Sequence, residues 1–264
     1  MIRCVLFSVL FLFYSLQAIP AATAESVTKL LEWEQLPQLP KAQDRENQPG
    51  LAGPFVGIHN NALILAGGAN FPKVPPWKGG TKVWWKDIYV MELETNEWVT
   101  DKSFVLPRPV AYGASISTEN GIICIGGCDA EKCYNDVFLI KWNPEKREIE
   151  IESLPSLPKP LAFMAAAKAG NTIYVAGGQE KMHQAKPTRT FLSLDLSKKG
   201  EQISFEWEEL QPWPGPARIL PVAAAQSDGT TDCFYLFSGR MPVAGKTTAL
   251  LTDGYKYDPV QGQW

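Results

Sequence analysis

The chain has 264 residues, 45% hydrophobic and 20% charged, with 25 lysines and arginines against 28 aspartates and glutamates, a formal net charge of −3. Length and composition fit one globular domain with a sizeable core, and the slightly acidic balance supplies no field that would gather nucleic acid or an anionic membrane. With only His59 and His183, a multi-histidine zinc or copper site would need unusual ligands, and without a Gly-x-Ser-x-Gly elbow the usual hydrolase triads lack support.

In chain order, the first element is a leader. Arg3 precedes an apolar run from Cys4 to Leu16, and Ala22-Thr23-Ala24 offers a small-x-small cleavage signal. Residues 1–24 therefore read as a secretory signal peptide, with export to a periplasm or the outside. The run is shorter than the roughly 20 residues that cross hydrocarbon, and no membrane span is expected in residues 25–264. Glu32-Trp33-Glu34 before Leu36-Pro37 repeats the pattern of Trp98 before Leu106-Pro107 and Trp207 before Trp213-Pro214, and reads as an outermost strand.

Four repeat units follow. Each opens on a strand of small residues: Phe55-Val56-Gly57-Ile58, Tyr112-Gly113-Ala114-Ser115-Ile116, Phe163-Met164-Ala165-Ala166-Ala167 and Val222-Ala223-Ala224-Ala225. Asn60-Asn61, Asn120-Gly121, Gly170-Asn171 and Asp228-Gly229 then tolerate positive φ and close tight hairpins. The second strand of each unit ends in a glycine pair or its near equivalent, Gly67-Gly68, Gly126-Gly127, Gly177-Gly178 and Ser238-Gly239, at intervals of 59, 51 and 61 residues. After a loop come third strands at Ile88–Met91, Val137–Ile140, Phe191–Leu194 and Tyr255–Tyr257, and fourth strands marked by Trp98, Ile149 with Ile151, Trp207 and Trp264. β-Branched and aromatic residues in short bounded runs favour strands, and no 3.6-residue amphipathic stretch competes with them. The period and the local antiparallel pairing predict an all-β kelch-type β-propeller with one four-stranded blade per unit. The glycines read as architecture, giving close blade contacts that a Cβ would block. No helix follows to make a phosphate cradle. An orphan strand at Trp33 and a last unit ending at Trp264 predict an incomplete propeller of about four blades over residues 25–264, short of at least one blade.

Chemistry is expected in the loops at the channel mouth. The segment from Ala69 to Lys86 holds Lys73, Lys78, Lys82 and Lys86 among Phe71, Trp77, Trp84 and Trp85, with no acidic residue. Indole faces can pack on a sugar while a lysine attracts a carboxylate, so the patch suits an anionic carbohydrate. The same residues equally read as tryptophans packed on neighbouring blades and solvated lysines. Arg108, after Pro107, and Arg218, after Pro216-Ala217, read as recurring in one structural phase, where a rigid guanidinium suits a carboxylate or else pairs with an acidic neighbour. Glu180, His183 and Arg189 in the third post-glycine loop and Arg240 in the fourth add charge without a spacing that identifies a reaction. Cys124 and Cys233 fall on strands and read as buried; Cys128 and Cys133 flank a loop that a disulfide can close in an oxidising compartment.

Gly50 through Ile58, continuing through Leu65-Ala66-Gly67-Gly68-Ala69-Asn70-Phe71-Pro72 to Asp87-Ile88-Tyr89, then Arg108, Ala111 through Ser115 and Ile125-Gly126-Gly127, resembles the cyclically permuted branch of the sialic acid mutarotases, or N-acetylneuraminate epimerases. The resemblance implies a six-bladed propeller when complete, which interconverts the α and β anomers of N-acetylneuraminate without a cofactor. Asn70, Lys82, Trp84, Arg108 and Arg218 are then the candidate substrate contacts, and the partner is a small anionic sugar. It also implies that the family's catalytic glutamate and arginine fall on a post-glycine loop beyond Trp264. Arg240 stands where the fourth loop's glutamate would be, so no catalytic role is transferred to it. The rival expectation is a secreted, non-catalytic kelch module that binds a glycan or a protein with the same loops.

Overall fold

A computed structural model describes residues 32–41, 48–100, 102–184, 186–197, 206–243 and 245–264. The leader lies outside these residues. Contacts divide the chain into Met1–Leu36 and Pro37–Trp264. Of the first unit, residues 32–36 are described and carry no regular structure. The outermost strand expected at Trp33 is not formed, since a strand exists only through a hydrogen-bonded partner and no described ladder includes it.

The second unit builds four antiparallel blades. The first orders Phe55–His59, Ala62–Ala66, Asp87–Glu92 and Glu97–Trp98, with Phe104–Val105 also paired to the third strand. The second has Ala114–Thr118, Gly121–Ile125, Val137–Asn143 and Glu148–Leu154; the third has Ala162–Ala169, Thr172–Gln179, Phe191–Asp195 and Glu208–Glu209. In the fourth, Val222–Ser227, Asp232–Phe237 and Gly254–Tyr257 pair in order. This is the β-propeller arrangement that the repeats predict. Among the described residues the helical structure is a single 3₁₀ turn at Pro76–Lys78, and no helix is long and apolar enough to cross a membrane.

The core sits between blades. Phe55, Ile64 and Val90 pack with Ile122, Ile140 and Trp142 across the first interface. Ile125, Val137 and Leu139 meet Leu161, Ile173 and Val175 across the second. Tyr174, Phe191, Trp213, Phe234 and Tyr257 form an aromatic third layer. The outer tryptophans act as pegs between units: Trp98, Trp207 and Trp264 donate their indole N–H groups to the carbonyls of Pro37, Pro155 and Gln211. Trp207 and Trp264 do so from just outside regular strands.

The glycine repeat is a stitch between blades. Gly68, Gly127 and Gly178 donate to the carbonyls of Val110, Leu161 and Arg218, on the connection that leads into the next blade, each at 2.8 Å. A Cβ on the preceding glycine would sit 2.3, 2.3 and 2.8 Å from those same oxygens. Sequence reasoning missed a second repeat. Gly53, Tyr112, Phe163 and Leu220, each just ahead of an innermost strand or, for Phe163, second in its own, have φ of 61°, 61°, 60° and 51°. The N–H of each of the last three donates to the carbonyl of the one before it, at 2.7, 2.8 and 2.7 Å. Three bulky residues are thus held where side chains cost about 1–3 kcal/mol each. They line up around the inner ends of the blades.

At the opposite end, the first hairpin tip clamps the second blade. His59 Nδ1 accepts the Trp142 N–H at 2.9 Å, and Asn60 Nδ2 donates to the Trp142 carbonyl at 2.7 Å. Burial, joined by Lys141, holds the His59 imidazole below its ordinary pKa against a hydrogen bond to the Glu119 backbone that acts in the other direction. The neutral ring is the form that accepts from Trp142. A lowered folded pKa means this contribution is whole above the unfolded value of about 6.5 and is lost as pH falls towards the folded value. Thermal melts from pH 7.5 to 5 should show the midpoint falling below about 6.5, with a flatter profile for His59→Asn. Equal profiles for the two proteins would refute the clamp.

Candidate functional site

Strand direction puts every post-glycine loop and every connection into the next blade at one end of the propeller. There the long first loop folds back as a short ribbon, Ala69 facing Trp84 and Asn70 facing Val83. Asn70 fixes its base: the buried side-chain carbonyl accepts the Trp85 indole N–H at 2.8 Å and the amide donates to the Pro49 carbonyl at 3.2 Å. Beyond the ribbon the loop makes its 3₁₀ turn, with Lys73 and Lys78 exposed and Trp77 81% exposed.

The four lysines of this loop are therefore not equivalent. Lys82 lies half-buried, its Nζ donating to the Tyr112 hydroxyl at 2.6 Å. The ammonium sits 4.7 Å from the Tyr112 ring centroid, 5.5 Å from Trp84 and 5.7 Å from Phe71. Such cation–π contacts are each worth about 0.5–2 kcal/mol, more as water is excluded. Tyr112 is held from behind by stacking on Phe163 at 4.8 Å, and its left-handed backbone aims the ring over Gly53, where a Cβ would come within 2.5 Å of it. The result is one cation in an aromatic cage, with ammonium hydrogens beyond the one given to Tyr112. The Trp84 indole nitrogen is buried without a conventional acceptor; the group it acts on is the Cys128 thiol, whose ionisation it favours.

The other sequence candidates lie elsewhere. Arg108 donates to Asp136 at 2.6 Å and lies 4.5 Å from the Tyr134 ring, beside a cavity of about 140 Å³. Arg218 is wholly buried: both terminal nitrogens bind Asp253, at 2.8 and 2.9 Å, and further bonds reach the Ser238 and Pro216 carbonyls. Trp213 and Tyr255 flank it, each 5.3 Å away. The two arginines are not in one phase. Arg218 occupies the position of Val110 and Leu161, whose carbonyls receive the glycine stitch, and Arg108 stands two residues earlier in its connection. Both nevertheless pair with the aspartate that precedes the third strand of their own blade, Arg218 through both terminal nitrogens of a buried guanidinium and Arg108 through one nitrogen of an exposed side chain. In the third loop Glu180 lies 3.9 Å from Lys159 and Arg189 donates to the Trp213 carbonyl.

Tyr112 is the site residue that sequence reasoning left among the core strands. A second aromatic in the same phase, Phe163, was the available signal. A cavity of about 890 Å³ lies at the opposite end, by the hairpin tips at Asn60 and Asn120. It shares no residue with the cage.

The fold defines a β-propeller, and its first post-glycine loop sets a cation, Lys82, among aromatic rings. The N-acetylneuraminate epimerase family model matches residues 16–149, which include the cage, and the chain belongs to that family. Curated relatives named N-acetylneuraminate epimerase include those of Yersinia enterocolitica, 37% identical over 131 residues, Haemophilus influenzae, 34% over 134, and Brucella suis, 33% over 129. These matches cover 45–46% of this chain and about a third, 32–34%, of each relative's length. The solved structure titled "Structure of YjhT" shares the fold with a TM-score of 0.62 at 14% identity, over 79% of this chain and 68% of that one.

Proposed function

We propose that this protein is a sialic acid mutarotase, interconverting the α and β anomers of N-acetylneuraminate by opening and reclosing the sugar's hemiketal ring. The observation that carries this reading is the Lys82 ammonium inside the rings of Phe71, Trp84 and Tyr112, on the half of the chain that the family model matches. The cation meets the substrate carboxylate, and the rings pack on the apolar face of the sugar and thin the water around the ion pair, which strengthens it. In the reaction a base takes the proton of the anomeric hydroxyl while an acid protonates the ring oxygen; the freed ketone is then attacked on either face. Anomer exchange proceeds in water unaided, so positioning and modest proton transfer suffice.

The test is exchange spectroscopy on N-acetylneuraminate by NMR. The protein should raise the rate of α–β exchange well above that of buffer, and a rate equal to buffer would reject the isomerase. A second reading, a glycan-binding propeller without catalysis, draws on the internal pairing of Arg108 and Arg218 with aspartates. It predicts line broadening of the sugar with no faster exchange.

A further inference from the structure

The second post-glycine loop brings two thiols face to face. Cys128 and Cys133 are antiparallel bridge partners, flanked by the bonds Tyr134 N–H to Gly127 O at 2.8 Å and Asp129 N–H to Lys132 O at 3.1 Å. They are therefore a non-hydrogen-bonded cross-strand pair, whose Cα atoms stand about 4.5 Å apart, within the roughly 4.4–6.8 Å that disulfides span. Both side chains pack into one cluster with Ala162, Tyr112, Phe163 and Met182. The intervening turn is already set, because the Asp129 carboxylate accepts the Glu131 N–H, the Lys132 N–H and the Tyr134 hydroxyl. All four cysteines among the described residues are thiols in this structure, and the other two, Cys124 and Cys233, are buried strand residues of the second and fourth blades.

We infer that Cys128 and Cys133 are a modification site, a cross-strand dithiol that closes to a disulfide by exchange with a low-molecular-weight disulfide. The inference does not rest on the isomerase reading. Cys133, the more exposed of the two at 5% against 0%, attacks one sulfur of R–S–S–R as its thiolate and releases one RSH. Cys128 then attacks the Cys133 sulfur of the mixed disulfide and releases the second. Two cysteine protons leave with the two RSH molecules, and two electrons pass to the external disulfide. Burial pushes the Cys133 thiol up to about 11, with Asp129 adding to it, and pushes Cys128 up to about 12, with Cys133 and Asp129 adding to it. The thiolate is scarce at neutral pH, so closure is slow in the folded protein and quickens as pH rises.

Purified protein held under native conditions with oxidised glutathione at pH 8, then unfolded, alkylated and digested, gives the test by mass spectrometry. The expected product links Cys128 to Cys133, lighter by two hydrogens, with Cys124 and Cys233 alkylated. Cys128→Ser should trap at least about ten times more glutathione on Cys133 than the wild type, because the resolving thiol is gone. Should that variant not fold, the wild-type map decides alone. Alkylation of all four cysteines, stable glutathione on wild-type Cys133, or a bridge to Cys124 or Cys233 would overturn the inference.

Discussion

Gly126→Ala is expected to destabilise the protein by about 3 kcal/mol or more. The residue has φ of +58°, where an L side chain costs about 1–2 kcal/mol. Its new methyl would also stand 2.3 Å from the Leu161 carbonyl oxygen and 2.8 Å from Met164 Cε. That oxygen accepts the Gly127 N–H at 2.8 Å, and displacing it forfeits a bond worth about 1 kcal/mol while prying apart the second and third blades. Ser238 supplies the control. It holds the equivalent position with φ of 55°, and among the described residues no cross-blade carbonyl meets it. Ser238→Gly should therefore change stability by no more than about 1 kcal/mol, in the stabilising direction if any. Chemical denaturation of the two variants reads the contrast, and similar effects at both positions would remove the stitch as the reason for glycine.

Arg218→Met should cost about 3 kcal/mol. Removing one partner of a buried pair typically costs about 3–5 kcal/mol, and the lower end applies here because 31% of the Asp253 side chain remains in contact with solvent. The hydrogen bonds from Arg218, set against burial and aided by the Tyr255 hydroxyl, hold the Asp253 carboxyl below the usual carboxylate range. With a lowered folded pKa, this contribution is complete above the unfolded value of about 3.9 and is lost as pH falls through the folded value. The gap between wild type and Arg218→Met should thus narrow in strong acid. Adding Asp253→Leu removes the stranded carboxylate and should recover part of the loss. A single variant as stable as wild type would return Arg218 to the list of ligand candidates.

The blades were legible because their signals are local. Asn60 and Asn61 both take positive φ, 46° and 57°, as a two-residue hairpin demands, and each glycine pair sits where the next blade's backbone passes too close for a side chain. The inner ring of left-handed residues was not legible. Tyr112, Phe163 and Leu220 are poor turn formers, and hydrogen bonds between residues 50 to 60 positions apart impose their backbone. Lys82 stands ahead of Lys73, Lys78 and Lys86 only alongside the family resemblance; the composition of the loop by itself does not distinguish them. That distinction depends on Asn70 facing Val83, a pairing inside an irregular loop that no periodicity announces. The arginines misled for a related reason. Nearby prolines suggested one phase, yet in Pro107-Arg108-Pro109-Val110 the arginine stands two positions before the residue with the stitched carbonyl, whereas in Pro216-Ala217-Arg218 the arginine is itself that residue.

The cage as a carboxylate site can be tested by calorimetric titration of the protein with N-acetylneuraminate and with its uncharged methyl ester. A charge-assisted contact worth about 1.5–3 kcal/mol corresponds to roughly a ten- to 150-fold change in affinity. The ester should bind at least about tenfold more weakly than the acid to the wild type, and Lys82→Met should bind the two alike, at the weaker level. Equal binding of acid and ester to the wild type, or undiminished binding of the acid by Lys82→Met, would contradict the assignment.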